Sequence, residues 1–260
     1  MIDFDFVKPS TVAEAVKALA ADGAQALSGG QTLTPTMKQR LATPAVLVSL
    51  TGIDALKGVS VAAGVVTVGA ATPHAVVERE AGAYPALASL ASGIGDPAVR
   101  NRGTIGGSLA NNDPAACYPA AILASGATVV TNARSIHADD YFQGMFSTAL
   151  DEGEIITSVS FPIPQKAAYA KFNQPASRFA LTGVFVAKYA DGVRVAVTGA
   201  SNNGVFRWTE AEAALSANFT ADAISGLTVS ADNLIADLHG SAAYRANLIK
   251  VLTGRAVSAA

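Results

Sequence analysis

A chain of 260 residues, half of them hydrophobic and only 15% charged, can bury a large core, and this composition argues against intrinsic disorder. The formal net charge of −2 gives no electrostatic reason to expect a nucleic acid or an anionic membrane as a partner. One cysteine and three histidines exclude an intramolecular disulfide and a zinc or iron–sulfur centre built on Cys/His clusters.

Two uncharged stretches, residues 58–77 and 114–133, do not predict membrane spans, because glycines and prolines interrupt both. The N-terminal residues lack the basic and apolar regions of a signal peptide. We therefore expect a cytoplasmic protein without a membrane span.

The first 55 residues predict a small βαβ-like unit. Its predicted elements are a strand within Ile2–Val7, a helix from the capping box Thr11–Glu14 to Gly23, a buried strand at Ala24–Leu27, a short helix within Gln31–Arg40 and a buried strand at Ala45–Leu50.

The hydrophobic pattern then changes to that of hairpins and short helices. The predicted elements are a hairpin of Val59–Ala62 with Val65–Val68, a helix that Thr72 caps with Pro73 as its first residue, helices at Pro85–Gly93 and Pro119–Leu123, and strands at Ala127–Thr131 and Ile155–Phe161.

The segment Pro162–Pro164 is typical of an interdomain linker. Beyond it the sequence predicts strands at Ala180–Tyr189 and Val193–Ala200, a capping box at Thr209–Glu212, and a last helix over Ala242–Leu252 that ends before Gly254. The whole pattern indicates an α+β fold.

Two glycine-rich segments carry most of the functional information. Ser28–Thr32 follows a predicted strand, and Arg100–Pro114 combines paired glycines with short polar side chains. Glycines let backbone N–H groups crowd around an anion, because no Cβ blocks its approach. On its own the first segment is better explained by a tight turn, whereas the second indicates a ligand loop. Together they suit a dinucleotide with a central pyrophosphate, although neither a Rossmann fingerprint nor a Walker motif is present.

The remaining candidate residues favour structural roles. His74 is expected on the surface, and no catalytic role is expected for His137 or His239. Cys117 is expected to be a small buried residue, because no basic neighbour is expected to lower the pKa of its thiol. Trp208 is expected to pack at a helix start. No Ser/His/Asp set can be assembled, so we predict neither a catalytic residue nor a metal ligand in this chain.

Four stretches resemble one protein family, the FAD-binding medium subunit of molybdenum hydroxylases, which includes carbon monoxide dehydrogenase and xanthine dehydrogenase. They are Ala26–Pro35 with Lys38 and Arg40, Asn101–Asp113, Phe172–Ala180 and Ala243–Leu248. The resemblance implies a two-lobed FAD-binding domain of the vanillyl-alcohol-oxidase (PCMH) type, followed by a small α+β C-terminal domain. The implied division is residues 1–55 for the first lobe, 56–164 for the second lobe and 165–260 for the C-terminal domain.

The resemblance also implies the residues that bind FAD. They are Ser28, Gly29, Gly30, Gln31 and Thr32 in the first loop, Thr104, Ile105, Gly106, Gly107 and Ser108 in the second loop, and Asp113, Cys117, Lys171 and Phe179. Cys117 stands where many relatives carry an aspartate, and Phe179 stands where many carry a tyrosine. Lys171 corresponds to a lysine close to the flavin, where a positive charge would raise the flavin potential.

By the same resemblance, the chain is a subunit without a substrate pocket of its own. A small partner subunit would carry two [2Fe–2S] clusters, a large one would carry the molybdenum cofactor, and the assembly would be a dimer of heterotrimers. FAD in this chain would accept electrons from the clusters and pass them to an external acceptor. Two alternatives stay open: a free-standing FAD oxidoreductase on the same fold, and a non-catalytic nucleotide-binding assembly module.

Overall fold

The computed structural model describes residues 1–260. Its first sheet has three parallel strands in the order β1–β3–β2. The elements are β1 (Asp5–Val7), α1 (Val12–Leu19), β2 (Ala24–Leu27), α2 (Leu33–Lys38) and β3 (Val46–Ser49). The strand at β2 was predicted to be buried, which is wrong: β2 is an edge strand whose residues are half-buried or exposed, because it faces the cavity described below.

The helix start at Thr11 follows the prediction in part. The Thr11 hydroxyl accepts a hydrogen bond from the N–H of Glu14 at 3.2 Å. The Glu14 carboxylate does not accept a hydrogen bond from the N–H of Thr11, but accepts hydrogen bonds from the N–H and the hydroxyl of Ser10. The reciprocal half of the capping box is therefore displaced by one residue.

The second sheet has five antiparallel strands in the order β4–β5–β10–β6–β7. The elements of this region are β4 (Val59–Ala62), β5 (Val65–Gly69), α3 (His74–Glu80), α4 (Pro85–Ser92), α5 (Pro97–Arg100), α6 (Ile105–Asn111), α7 (Tyr118–Ser125), β6 (Thr128–Thr131), β7 (Ser135–His137), α8 (Ala138–Tyr141), β8 (Phe142–Gly144), β9 (Ser147–Thr148) and β10 (Ile156–Pro162). Strands β8 and β9 form a separate two-stranded sheet.

The starts of helices α3 and α6 differ from the predictions. Pro73, not Thr72, occupies the N-cap position of α3, because the buried Thr72 hydroxyl is bonded to the backbone of Gly58. The second glycine-rich segment is not only a loop, because α6 runs through it. The Thr104 hydroxyl caps α6 by accepting from the N–H of Gly107, and the helix ends at Asn112 in the left-handed conformation.

The third sheet has four antiparallel strands in the order β11–β12–β13–β14. The elements are β11 (Lys166–Asn173), β12 (Ala180–Tyr189), β13 (Gly192–Thr198), β14 (Phe206–Arg207), α9 (Thr209–Ala217) and α10 (Ala242–Ala259). Strand β11 was not predicted, and it begins at Lys166, two residues after Pro164 of the predicted linker.

The predicted capping box at α9 is wrong. Trp208, which is buried, takes the N-cap position, and the Glu212 carboxylate instead accepts from the N–H of Val195 and from the Arg207 guanidinium. Helix α10 also runs past Gly254, because Ala256 and Val257 are buried and hold its last turns against the domain.

The hydrophobic core joins the second and third sheets. Helix α7 is buried at all eight positions, and it packs against strands of both sheets. The larger core cluster contains Tyr84 and Phe161 together with Phe185 of β12. Residues beyond 164 therefore complete the core of the preceding region.

No helix has the length and apolarity that a membrane span requires.

Candidate functional site

A cavity of about 600 Å³ lies where the two glycine-rich segments meet. This volume is within the range of about 300–1,000 Å³ typical of ligand pockets. The sequence-predicted site residues that line it are Ser28, Gly29, Gly30, Gln31, Thr32, Thr104, Gly106, Gly107, Ser108, Asp113, Cys117, Lys171 and Phe179. Ile105 does not line the cavity, because its side chain is fully buried in the core.

The two segments are in direct contact. A Cβ added to Gly29 would lie 2.1 Å from the Arg102 carbonyl oxygen and 2.8 Å from the Gly103 Cα, so only glycine permits this approach. Beside it, the hydroxyls of Ser28 and Thr104 are 2.9 Å apart and share a hydrogen bond. The floor of the cavity is thus one unit built from two distant parts of the chain.

This floor presents unused hydrogen-bond donors. None of the backbone N–H groups of Gly29, Gly30, Gln31 and Thr32 donates a hydrogen bond within the chain, and neither does that of Thr104. All five residues line the cavity. Gly29 and Thr104 are buried, and buried backbone N–H groups without a partner are rare, so this cluster indicates a site for an anionic group such as a pyrophosphate.

The glycines of α6 have a different role. The Gly106 N–H donates to the Ala70 carbonyl at 2.9 Å, and a Cβ on Gly106 would lie 2.7 Å from that oxygen. Gly107 is used in the Thr104 cap. Gly106 therefore packs the second segment against the end of strand β5, while Ser108, the residue after Gly107, remains partly exposed to the cavity.

Lys171 and Cys117 form one wall. The Lys171 ammonium donates to the carbonyls of Gly93 at 2.6 Å and Arg178 at 2.9 Å, and its Nζ is 3.6 Å from the Cys117 Sγ. The thiol is buried, as predicted, but the expectation that it has no basic neighbour is wrong. Lys171 is 54 residues away on strand β11, whereas Cys117 lies at the start of α7, so the residues next to Cys117 in the sequence could not reveal this contact.

Asp113 and Phe179 complete the candidate set. One carboxylate oxygen of Asp113 accepts from the N–H of Ala115 at 2.8 Å, which leaves the other oxygen for a ligand. Phe179 lies in the turn between β11 and β12, and its side chain is 49% exposed. An aromatic ring with one open face at a cavity wall is suited to stack on a planar ligand.

His74 is a cavity residue that the sequence did not indicate. It was expected on the surface, but it is 5% exposed and lines the cavity. Burial, with a smaller contribution from the positive charge of Arg100, lowers the pKa of His74 to about 4, so the ring is neutral at pH 7. The contact that places it here, an antiparallel bridge between Pro73 and Thr104, is a tertiary one without a local signal.

Glu154 lines the cavity, but its carboxylate is not free for acid–base chemistry. Arg134 hydrogen-bonds this carboxylate and lowers the pKa of Glu154 to about 2, with Thr131 as a further donor. Glu154 therefore stays ionised and tied to its partners. The structure brings no three His, Cys, Asp or Glu side chains together as a metal site.

Comparison with known proteins identifies the family. The family described as "FAD binding domain in molybdopterin dehydrogenase" matches residues 2–164, more than half of the chain. The chain belongs to this family. It is 33% identical to the nicotine 6-hydroxylase medium subunit of Paenarthrobacter nicotinovorans over 97% of this chain and 95% of that protein. It is 32% identical to the carbon monoxide dehydrogenase medium chain of Afipia carboxidovorans over 99% of this chain and 96% of that protein.

A solved structure is similar over the full length. Quinoline 2-oxidoreductase from Pseudomonas putida 86 matches with a TM-score of 0.89 at 28% identity, covering 100% of this chain and 97% of that one. Together the comparisons confirm the predicted family and the predicted fold class, an α+β fold of the FAD-binding type. They also confirm FAD as the cofactor and an oxidoreductase flavoprotein as the protein class. The unused N–H donors and the glycine contacts fit such a cofactor.

Proposed function

We propose that the chain is the FAD-carrying electron-transfer subunit of a heterotrimeric molybdenum hydroxylase. The observation that carries this proposal is the cavity floor, in which two segments 76 residues apart meet and leave five N–H donors unused. FAD bound there would supply a redox centre that accepts and donates one or two electrons. The names of the related medium subunits and chains support the same role.

The chain's own residues would bind and orient the cofactor. Ser28–Thr32 and Thr104 would hold the pyrophosphate with backbone N–H and hydroxyl groups. Gly106, Gly107 and the buried Ile105 would anchor the second segment, and Ser108 would contribute its hydroxyl.

The other residues would surround the remaining parts of FAD. Asp113 would offer its free carboxylate oxygen to a hydroxyl of the cofactor, with Cys117 beside it. Phe179 would cover part of the ring system and keep water from it. Lys171 would supply the one ammonium group of this wall, and its fixed positive charge would raise the flavin potential.

The domain division belongs to the same proposal. Residues 1–55 and 56–164 would form the two lobes of the FAD-binding domain, and residues 165–260 would form the C-terminal domain. This division follows the three sheets, which occupy residues 5–49, 59–162 and 166–207.

The partners are also proposed. A small subunit with [2Fe–2S] clusters would deliver electrons, a large subunit would carry the molybdenum cofactor, and two such trimers would associate in the cytoplasm. This chain would then hold FAD alone, with no metal or cluster of its own.

The test begins with the visible spectrum of the purified full chain. Flavin bands that bleach with dithionite, and FAD rather than FMN released on denaturation, are expected. A colourless chain that takes up no FAD on titration, alone or co-expressed with its partners, would overturn the proposal. Co-purification with the two subunits tests the assembly, whereas turnover of an organic donor by the isolated chain would favour a free-standing oxidoreductase.

A further inference from the structure

His74 is locked beneath the second glycine-rich segment. Its backbone N–H donates to the Gly103 carbonyl at 2.9 Å, and a Cβ added to Gly103 would lie 2.6 Å from the His74 Nε2. On the other side, the ring packs against Tyr118, with the ring centroids 5.3 Å apart. The imidazole is therefore held in one place by Gly103 and Tyr118, and Gly103 is the residue before Thr104.

The imidazole has no hydrogen-bond partner within the chain. Its Nδ1 is buried without a partner, and Nε2 makes no hydrogen bond with any other group of the protein. A neutral imidazole has one N–H donor and one acceptor. Because an enclosed N–H without an acceptor is less tolerated than an enclosed acceptor, the proton is better placed on Nε2, the nitrogen beside Gly103.

The charges around the ring keep it neutral. Arg100 of α5 is the nearest positive charge, and it is itself engaged by Glu78 of α3 at 3.3 Å. Tyr118 of α7 is fully buried, and burial raises the pKa of its hydroxyl well above the usual range. No carboxylate forms an ion pair with the imidazole.

We propose that His74 is a positioning residue of the FAD site, with its neutral Nε2–H donating a hydrogen bond to a pyrophosphate oxygen. This inference rests on the proposed function, and it goes further by adding a side-chain donor to the backbone cradle. The ring abuts Gly103, and Gly103 abuts Gly29, so the imidazole lies against the same floor as the five unused N–H groups. The cofactor then supplies the partner that the chain does not.

The experiment compares His74→Gln with His74→Phe in the full chain. Glutamine keeps an N–H donor on a side chain of similar reach, whereas phenylalanine keeps the packing and loses the donor. We expect His74→Phe to weaken FAD binding about tenfold or more, as for the loss of a hydrogen bond to a charged group, and His74→Gln to remain within about threefold of wild type. Riboflavin, which has no phosphate, should bind all three proteins alike. His137→Phe, at an exposed histidine, is the matched control.

A second measurement does not depend on either variant folding. In the wild-type chain labelled with ¹⁵N, the nitrogen shifts of His74 should report a neutral ring protonated at Nε2, and that N–H signal should move when FAD is added. Equal FAD affinity of both variants, an equal loss for riboflavin, or a ring protonated at Nδ1 would overturn the inference. If wild type itself bound no FAD, the proposed function would fail instead.

Discussion

The Ser28 hydroxyl is hydrogen-bonded to the Thr104 hydroxyl across 76 residues of sequence, with the two oxygens 2.9 Å apart. Each hydroxyl belongs to one of the two glycine-rich segments, so this hydrogen bond links the two halves of the cavity floor. Thr104 also caps helix α6, and one side chain therefore serves both the helix and the contact between the segments.

Breaking this contact should loosen both segments together. In a double-mutant cycle of Ser28→Ala and Thr104→Val, we expect a coupling energy of about 0.5–1.5 kcal/mol in the free energy of unfolding, as for one hydrogen bond. Urea unfolding of the four proteins measures it. Additive effects would mean that the two hydroxyls contribute separately.

Gly29→Ala should separate the segments, because the new methyl group would lie 2.1 Å from the Arg102 carbonyl oxygen. We expect FAD binding to weaken about tenfold to a hundredfold, the equivalent of about 1–3 kcal/mol of overpacking. Titration monitored by flavin fluorescence gives the dissociation constant. Gly82→Ala is the control, since nothing lies within 4 Å of its added Cβ, and unchanged binding in Gly29→Ala would disprove the role of the contact.

Lys171→Met should alter both the wall and the cofactor. The substitution leaves the carbonyls of Gly93 and Arg178 without their donor, so we expect a loss of about 1–3 kcal/mol in stability. The loss of a positive charge should also lower the midpoint potential of bound FAD by about 30 mV, the equivalent of about 1.4 kcal/mol for a two-electron couple. A spectroscopic redox titration measures the potential. Lys171→Arg keeps the charge, and an equal shift in that variant would rule out an electrostatic cause.

The FAD-free chain should lose stability as the pH falls from about 6.5 towards about 4. An unfolded histidine has a pKa of about 6.5, whereas burial lowers the pKa of His74 to about 4, so the unfolded state binds the extra proton in this window. The full effect is about 3 kcal/mol. Urea unfolding at several pH values should show this slope in wild type and in His137→Gln, but not in His74→Gln. The ionised Glu154 adds a separate loss, below its unfolded pKa and down to about 2.

Glu212→Gln should destabilise the third sheet and its helix. Two oxygens of this buried carboxylate accept from the Arg207 guanidinium, and one of them also accepts from the Val195 N–H. We expect the free energy of unfolding to fall by about 1.5–3 kcal/mol, as for hydrogen bonds that involve a charged group. Glu210→Gln, at an exposed position of the same helix, should have almost no effect. If the two variants were equally stable, the buried pair would contribute nothing.

The sequence predicted what is local. Hydrophobic periodicity located most strands and helices, such as β12 and α4, and the spacing of glycines located both cavity segments. It missed what depends on distant residues. Strand β11 is half-buried at most positions, so its hydrophobic pattern was weak. Glu212 was interpreted as part of a capping box, because the sequence does not reveal its hydrogen bond with the distant Val195 N–H.

The same limit applies to the site. Thirteen of the fourteen residues implied by the family resemblance line the cavity, and those in the two glycine-rich segments also carry a local signature of paired glycines and short polar residues. The contact of Lys171 with Cys117 and the imidazole beneath Gly103 were not foreseen, since each joins residues that are far apart in the chain. Whether the predicted residues bind FAD as assigned stays a prediction for the experiments above.

We expect flavin binding to require the whole chain, because Lys171 and Phe179 line the cavity from beyond residue 164. The match to the family ends at residue 164, yet these two side chains come later and Phe185 lies edge-on to Tyr84 at 6.1 Å in the shared core. A fragment that stops at residue 164 would have an open-sided cavity and an uncovered aromatic surface. Flavin that stays bound to the purified chain would then report that residues 165–260 have folded against the preceding region.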